Sequence, residues 1–180
     1  FDHIAGIDEV KPYAFFKESK MLDTYMTEET FQSLKVSNFY AFESHSVYKP
    51  FLNPITIGYY DKSKIGSIEF QFFKQQHGEN FYSLGMRIGN VAYSTDVSFL
   101  PQDSINILKG VDVWMIDCLR YNWAPTHFTF EETMKLIDIV KPKRAILIHM
   151  AHEIDYDEIR KILPSNVEPG FDGMVIDINF

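Results

Sequence analysis

Ala145-Ile146-Leu147-Ile148-His149-Met150-Ala151-His152 begins as four consecutive apolar residues and ends in two imidazoles three positions apart. An unbroken apolar run of this length reads as a strand buried on both faces, opening at its C-terminal end into a loop that carries His149 and His152. Upstream, Thr129-Phe130-Glu131-Glu132 has the form of a helix capping box. Phe130, Met134, Ile137 and Val140 then recur on one side of a helix that Pro142 stops. Residues 111–116 form a further apolar run. Downstream, Asp155-Tyr156-Asp157-Glu158 opens another helix ending before Pro164, and 174–178 reads as a last strand. The C-terminal part is therefore β-α-β-α-β.

The N-terminal part is more varied. Residues 3–16 space Ile4, Ile7, Val10 and Ala14 as a short helix does, and 20–25 reads as a strand. Thr27 caps a helix through about Leu34, with Glu28 and Glu29 in its first turn, where they suit the helix dipole. Residues 38–54, rich in aromatics and closed by Pro50 and Pro54, read as a loop or lid. Segments 55–60, 68–75, 82–88 and 90–94 are β-branched or aromatic runs broken by Gly58, Gly66, Gly78 and Gly89, and 102–109 reads as a helix. The expectation is a layered α/β or α+β fold, as one domain over 1–180.

Composition narrows the function. With 46% hydrophobic and 23% charged residues, 180 residues suffice for a packed core. Seventeen Lys and Arg against 25 Asp and Glu give a net charge of −8, which counts against a general nucleic-acid coat. One cysteine, Cys118, excludes a disulfide framework and reads as a small buried hydrophobe rather than a nucleophile. No apolar run is long enough for a membrane span and no signal peptide opens the chain, so a cytoplasmic location is expected. The start, Phe1-Asp2-His3-Ile4, reads like the middle of a protein.

Chemistry-bearing residues gather at the ends of predicted elements. Asp2-His3 opens the first helix, His77-Gly78 and Asp96 end strands, His127 precedes the capped helix, and His149 and His152 follow the last buried strand. Strand ends feeding loops are where layered folds place sites, and imidazoles with carboxylates surround cations. Each residue also has a plainer reading: hydrogen-bonded structural histidines, a turn at Asp96, a helix N-terminus at Asp2-His3. His45 is given no role. Asp117 and Arg120 read as a salt bridge fixing their loop.

Taken together, these segments resemble the metallo-β-lactamase superfamily, nearest to the branch holding the cyclic-phosphate phosphodiesterase of phosphonate breakdown. Phe1-Asp2-His3-Ile4 and the helix after it match the end of that family's His-x-His-x-Asp-His motif. Gln76-His77-Gly78, Ala92-Tyr93-Ser94-Thr95-Asp96 and Ala145–His152 match its later ligand segments. Asp117-Cys118-Leu119-Arg120 and Pro125-Thr126-His127-Phe128-Thr129 resemble the segment where the phosphodiesterase holds phosphate, and Phe171-Asp172-Gly173-Met174 its closing turn. The resemblance implies an αββα sandwich whose N-terminal β portion and first two motif histidines would lie before Phe1.

It implies metal ligands at Asp2, His3, His77, Asp96 and His149, for Zn²⁺ or Mn²⁺, two ions in the intact protein. One site would be complete here, from Asp2, His3, Asp96 and His149; the other would keep His77 and Asp96. The chain alone is then expected to hold at most one ion well and to be inactive by itself. Asp2 would also orient a hydroxide. His127 would contact phosphate or protonate the leaving oxygen, or simply pack beside the Thr129 cap; His152 would touch substrate or play a structural part. The expected activity is a metal-dependent phosphodiesterase acting on a small or cyclic phosphate ester. An RNA-processing nuclease of the same superfamily, a lactonase or thioester hydrolase, and a non-catalytic remnant are the alternatives. A homodimer contact through 38–54 is also open.

Overall fold

The computed structural model describes residues 3–44, 46–47 and 49–178. Asp2, predicted as a ligand, and His45 lie outside the described residues. The chain folds as two compact units, 1–58 and 59–180.

In the first unit a 3-10 helix, Ile7–Val10, runs into α1, Lys11–Ala14. Strand β1, Leu22–Met26, pairs in parallel with β2, Leu52–Thr56, across α2, Glu28–Ser37, and α3, Phe39–Phe42. Thr27 caps α2 by accepting the Thr30 N–H. Segment 38–54, expected to be a loop or lid, therefore holds a helix and most of a strand. Its aromatic content reflects a small core of Ala14, Ala41, Phe51 and Leu52, with Tyr40 and Phe42 packed against it.

The second unit is built on a seven-stranded sheet in the order β3-β4-β5-β6-β7-β8-β9. The strands are β3 Lys62–Ile65, β4 Ile68–Gln76, β5 Tyr82–Ile88, β6 Val91–Ser94, β7 Val113–Asp117, β8 Arg144–Ile148 and β9 Val167–Pro169. The β3-to-β6 half is antiparallel, as its short connections allow. The β6-to-β9 half is parallel, because α4 Gln102–Leu108, α5 Phe130–Val140 and α6 Tyr156–Ile162 carry the chain back between strands. Trp114 and Ile116 of β7 with Ala145 and Leu147 of β8 pack with Leu108, Ile137 and Ile159 from the helices in one core. The fold is thus mixed α/β. The expected last strand over 174–178 is absent from the ladder, and β9 lies earlier, at Val167-Glu168-Pro169.

Both halves of the Thr129 capping box are present, the Thr129 side chain accepting the Glu132 N–H and the Glu132 carboxylate accepting the Thr129 N–H. Asp155 caps α6, but Glu158 turns to Lys161 instead of completing a box.

Gly85 on β5 stands opposite Phe73. A Cβ there would lie 2.0 Å from the Phe73 ring and 2.6 Å from Gln75 Oε1, and Phe73 is fully buried. Gly85→Ala is expected to cost about 1–3 kcal/mol in urea denaturation, the usual range for overpacking a core. Gly6→Ala, with nothing within 4 Å of the added carbon, is the neutral control. An unchanged midpoint for Gly85→Ala would contradict the packing described.

Candidate metal centre

The parallel register sets three strand ends side by side. Ser94 of β6 pairs with Ile116 of β7, Ile116 with Leu147 of β8, and Asp117 with Ile148. The chain leaves this common edge through Asp96, Asp117 and His149. His127 is delivered to the same edge by the connection from β7 to α5, through the Arg120–Thr129 bridge and the Leu119 N–H bonded to Phe128 O. One ligand atom from each of Asp96, Asp117, His127 and His149 lies within 4.8 Å of the other three.

Asp96 and His149 share a backbone feature. Both have positive φ, 55° and 60°, Asp96 two residues past β6 and His149 directly past β8. Non-glycine residues seldom occupy this region, although Asp and His tolerate it better than most. It turns both side chains out of the strand alternation, and His149 Nε2 sits 3.3 Å from Asp96 Oδ1.

Asp117 is wholly buried. Its Oδ2 accepts the Val97 N–H at 3.1 Å and lies 2.8 Å from His127 Nδ1. Its Oδ1 has no hydrogen-bond partner among the described residues. The expected Asp117–Arg120 salt bridge is not formed. Asp117 faces inward, onto Val97 and His127, while Arg120 reaches Glu153 at 4.0 Å. Burial above all pushes the Asp117 carboxyl up to about 7, and the neighbouring Asp96 adds to this. The Val97 N–H and the His149 and His77 imidazoles act the other way.

The His127 ring stacks on His149 at 4.7 Å and meets the edge of His77 at 4.8 Å. His77 Nδ1 lies 2.8 Å from Thr126 O, which as an acceptor fixes the proton on Nδ1 and leaves Nε2 as the accepting nitrogen. At Gly78, with φ 81°, an added Cβ would lie 3.0 Å from Thr126 Cγ2, so a side chain there would be both strained and crowded. Three of the predicted residues, Asp96, His127 and His149, therefore converge with Asp117, and His77 stands beside them. His152 is exposed in the turn after β8 and outside this group. His3 is exposed and belongs to the first unit, where it lines an apolar groove along β1. Cys118 is fully buried, and burial, then the Asp117 charge, pushes its thiol up to about 12, so it supplies no thiolate.

In the sequence Asp117 was legible as a salt-bridge partner within a segment resembling the phosphate-holding one, and not as a member of the metal group. The signal for its role is an acidic residue ending an apolar strand next to a buried cysteine, a position that demands a partner for the carboxylate.

The donor set fits a divalent cation. It combines imidazole nitrogen and carboxylate oxygen without sulfur, and one buried carboxylate oxygen lacks a partner among the described residues.

Residues 1–150 match the model of the beta-lactamase superfamily domain, and the chain belongs to that family. Among solved structures it is similar to a diphosphatase of the PhnP family, with a TM-score of 0.84 and 26% identity over 94% of this chain and 64% of that one. The Zn²⁺-bound PqqB from Methylobacterium extorquens shares the fold, with a TM-score of 0.67 and 13% identity over 92% and 68% of the two chains. An octanoyltransferase from Porphyromonas gingivalis is 25% identical over 177 residues, which are 97% of this chain and 35% of that protein. The chain thus spans about a third of that curated relative.

The raised Asp117 pKa has a stability consequence of definite sign. Between the ordinary carboxylate range near 4 and about 7, the metal-free folded protein keeps a proton on Asp117 that the unfolded chain has released. The stability this supplies is present at low pH and is lost as pH rises through about 7. In urea denaturation of metal-free protein, the stability of wild type relative to Asp117→Asn should fall from about pH 5 to about pH 8. A difference that stays level or grows would contradict the burial argument.

Proposed function

We propose that this chain carries the metal-binding and phosphate-handling residues of a metal-dependent phosphodiesterase acting on a small or cyclic phosphate ester. Asp96 and His149 hold the cation, with His77 beside them, and Zn²⁺ and Mn²⁺ both suit these donors. When bound, a divalent ion supplies Lewis acidity toward water and toward a phosphoryl oxygen.

The observation that carries the proposal is the His127–Asp117 pair, 2.8 Å apart and stacked against His149. With Asp117 ionised, His127 Nδ1–H donates to Oδ2, so the ring is fixed and its proton chemistry falls to Nε2. As imidazolium, His127 binds a phosphate oxygen or passes the Nε2 proton to the leaving alkoxide, which departs as the alcohol. A carboxylate so deeply buried orients an imidazole more firmly than an exposed one, because no water competes for it. The likeness to a diphosphatase at 26% identity supports phosphorus as the electrophile, while the octanoyltransferase is matched over too small a part of its length to argue for acyl transfer. The net charge of −8 disfavours an RNA substrate.

Titration calorimetry tests the proposal. The chain should bind one Zn²⁺ or Mn²⁺ tightly, and Asp96→Ala should weaken binding at least about a hundredfold, more than loss of an outer-shell partner does. Inorganic phosphate should bind the metal-loaded chain better than acetate does, and His127→Ala should weaken phosphate about tenfold, as expected for one charge-assisted hydrogen bond. Absence of metal binding, or a preference for acetate, would overturn it.

A further inference from the structure

A second layer of polar groups lies behind the Asp96 turn. Gln75 of β4 is fully buried and pairs across the ladder with Ser83 of β5. Its Nε2 donates to Thr95 O and to Ser83 Oγ, both at 3.0 Å. Ser83 Oγ in turn donates to Asp96 O at 2.7 Å. The direction of this relay is fixed. Thr95 O and Asp96 O can only accept, so the Gln75 amide must present its NH₂ and the Ser83 hydroxyl must point its hydrogen at Asp96. Gln75 Oε1 is left buried without a partner among the described residues, which costs free energy that a leucine there would not. On the far side of the same turn, the Val97 N–H is held by Asp117.

We infer that Gln75 and Ser83 are positioning residues for metal binding: together they hold the Thr95-Asp96 carbonyls so that Asp96 keeps its left-handed backbone and presents its carboxylate to the cation. The inference rests on the metal-site reading above. A buried amide that gives one N–H to the Thr95 carbonyl and the other to the hydroxyl that holds Asp96 O, at the cost of an orphaned oxygen, is poorly explained by core packing alone. Asp96 at φ 55° is a conformation that its surroundings must maintain. The Ser83 hydroxyl meets Asp96 at its backbone carbonyl and not at its carboxylate, so it acts through the backbone.

The test compares wild type, Ser83→Ala and Ser83→Thr, with Gln75→Leu as a second route to the same loss. Binding of Zn²⁺ is measured by calorimetry, the Co²⁺-loaded protein by its d–d absorption, and folding by the thermal midpoint. Ser83→Ala should weaken Zn²⁺ binding about tenfold and change the Co²⁺ spectrum, as removal of outer-shell partners does, while Ser83→Thr, which keeps the hydroxyl, restores both. Gln75→Leu should reproduce the weakened binding with a thermal midpoint no lower than that of Ser83→Ala. Should Ser83→Ala not fold, Ser83→Cys, similar in size with a weaker donor, takes its place. Wild-type affinity and spectrum in the serine variant would overturn the inference and leave the site intact. Failure of wild type to bind Zn²⁺ would instead overturn the site reading and this inference with it.

Discussion

Asp117 Oδ2 ties three parts of the second unit together at one point. It ends β7, it accepts the backbone N–H that follows Asp96, and it holds the ring of His127. A carboxylate with no exposure is expensive unless its charge is met, and here hydrogen bonds and imidazoles meet it only in part, as its raised pKa records. A cation at the same edge would meet the remainder. The arrangement is therefore one whose buried charge either a proton or a cation at this edge would relieve.

The parallel half of the sheet makes that convergence possible. Because β6, β7 and β8 run side by side in one direction, their C-terminal ends share an edge, and Asp96, Asp117 and His149, 21 to 53 positions apart in sequence, arrive within a few ångströms of one another. The antiparallel half contributes the support behind it: Gln75 and Ser83 reach from β4 and β5 to the Asp96 turn, and Gly85 leaves the room that Gln75 and Phe73 need. Left-handed backbone at Asp96 and at His149 is then the local price of turning two side chains toward this shared edge just beyond a strand.

Most of this was legible where one physical pattern dominated. The α5 helix is read at its observed bounds because a capping box, an apolar stripe and Pro142 agree. β8 is read from its apolar run, and Asp96, His127 and His149 from their places after strands or before a cap. What stayed hidden depended on pairing. β3 is Lys62-Ser63-Lys64-Ile65, a polar edge strand whose only signal is its partner β4. β9 is three residues ending in Pro169, whereas 174–178 has strand-like residues and no place in the ladder. Asp117 was misassigned to Arg120 because nearness in sequence suggested a pair, while the fold turns one side chain to the interior and the other to Glu153.

The most direct measurement is anomalous diffraction at the zinc edge from crystals of the Zn²⁺-loaded protein. A peak is expected within coordination distance, about 2.0–2.2 Å, of an Asp96 carboxylate oxygen and His149 Nε2, with His127 still hydrogen-bonded to Asp117. A peak elsewhere, at His152 or on the acidic surface, with Asp96 and His149 unliganded, would contradict this.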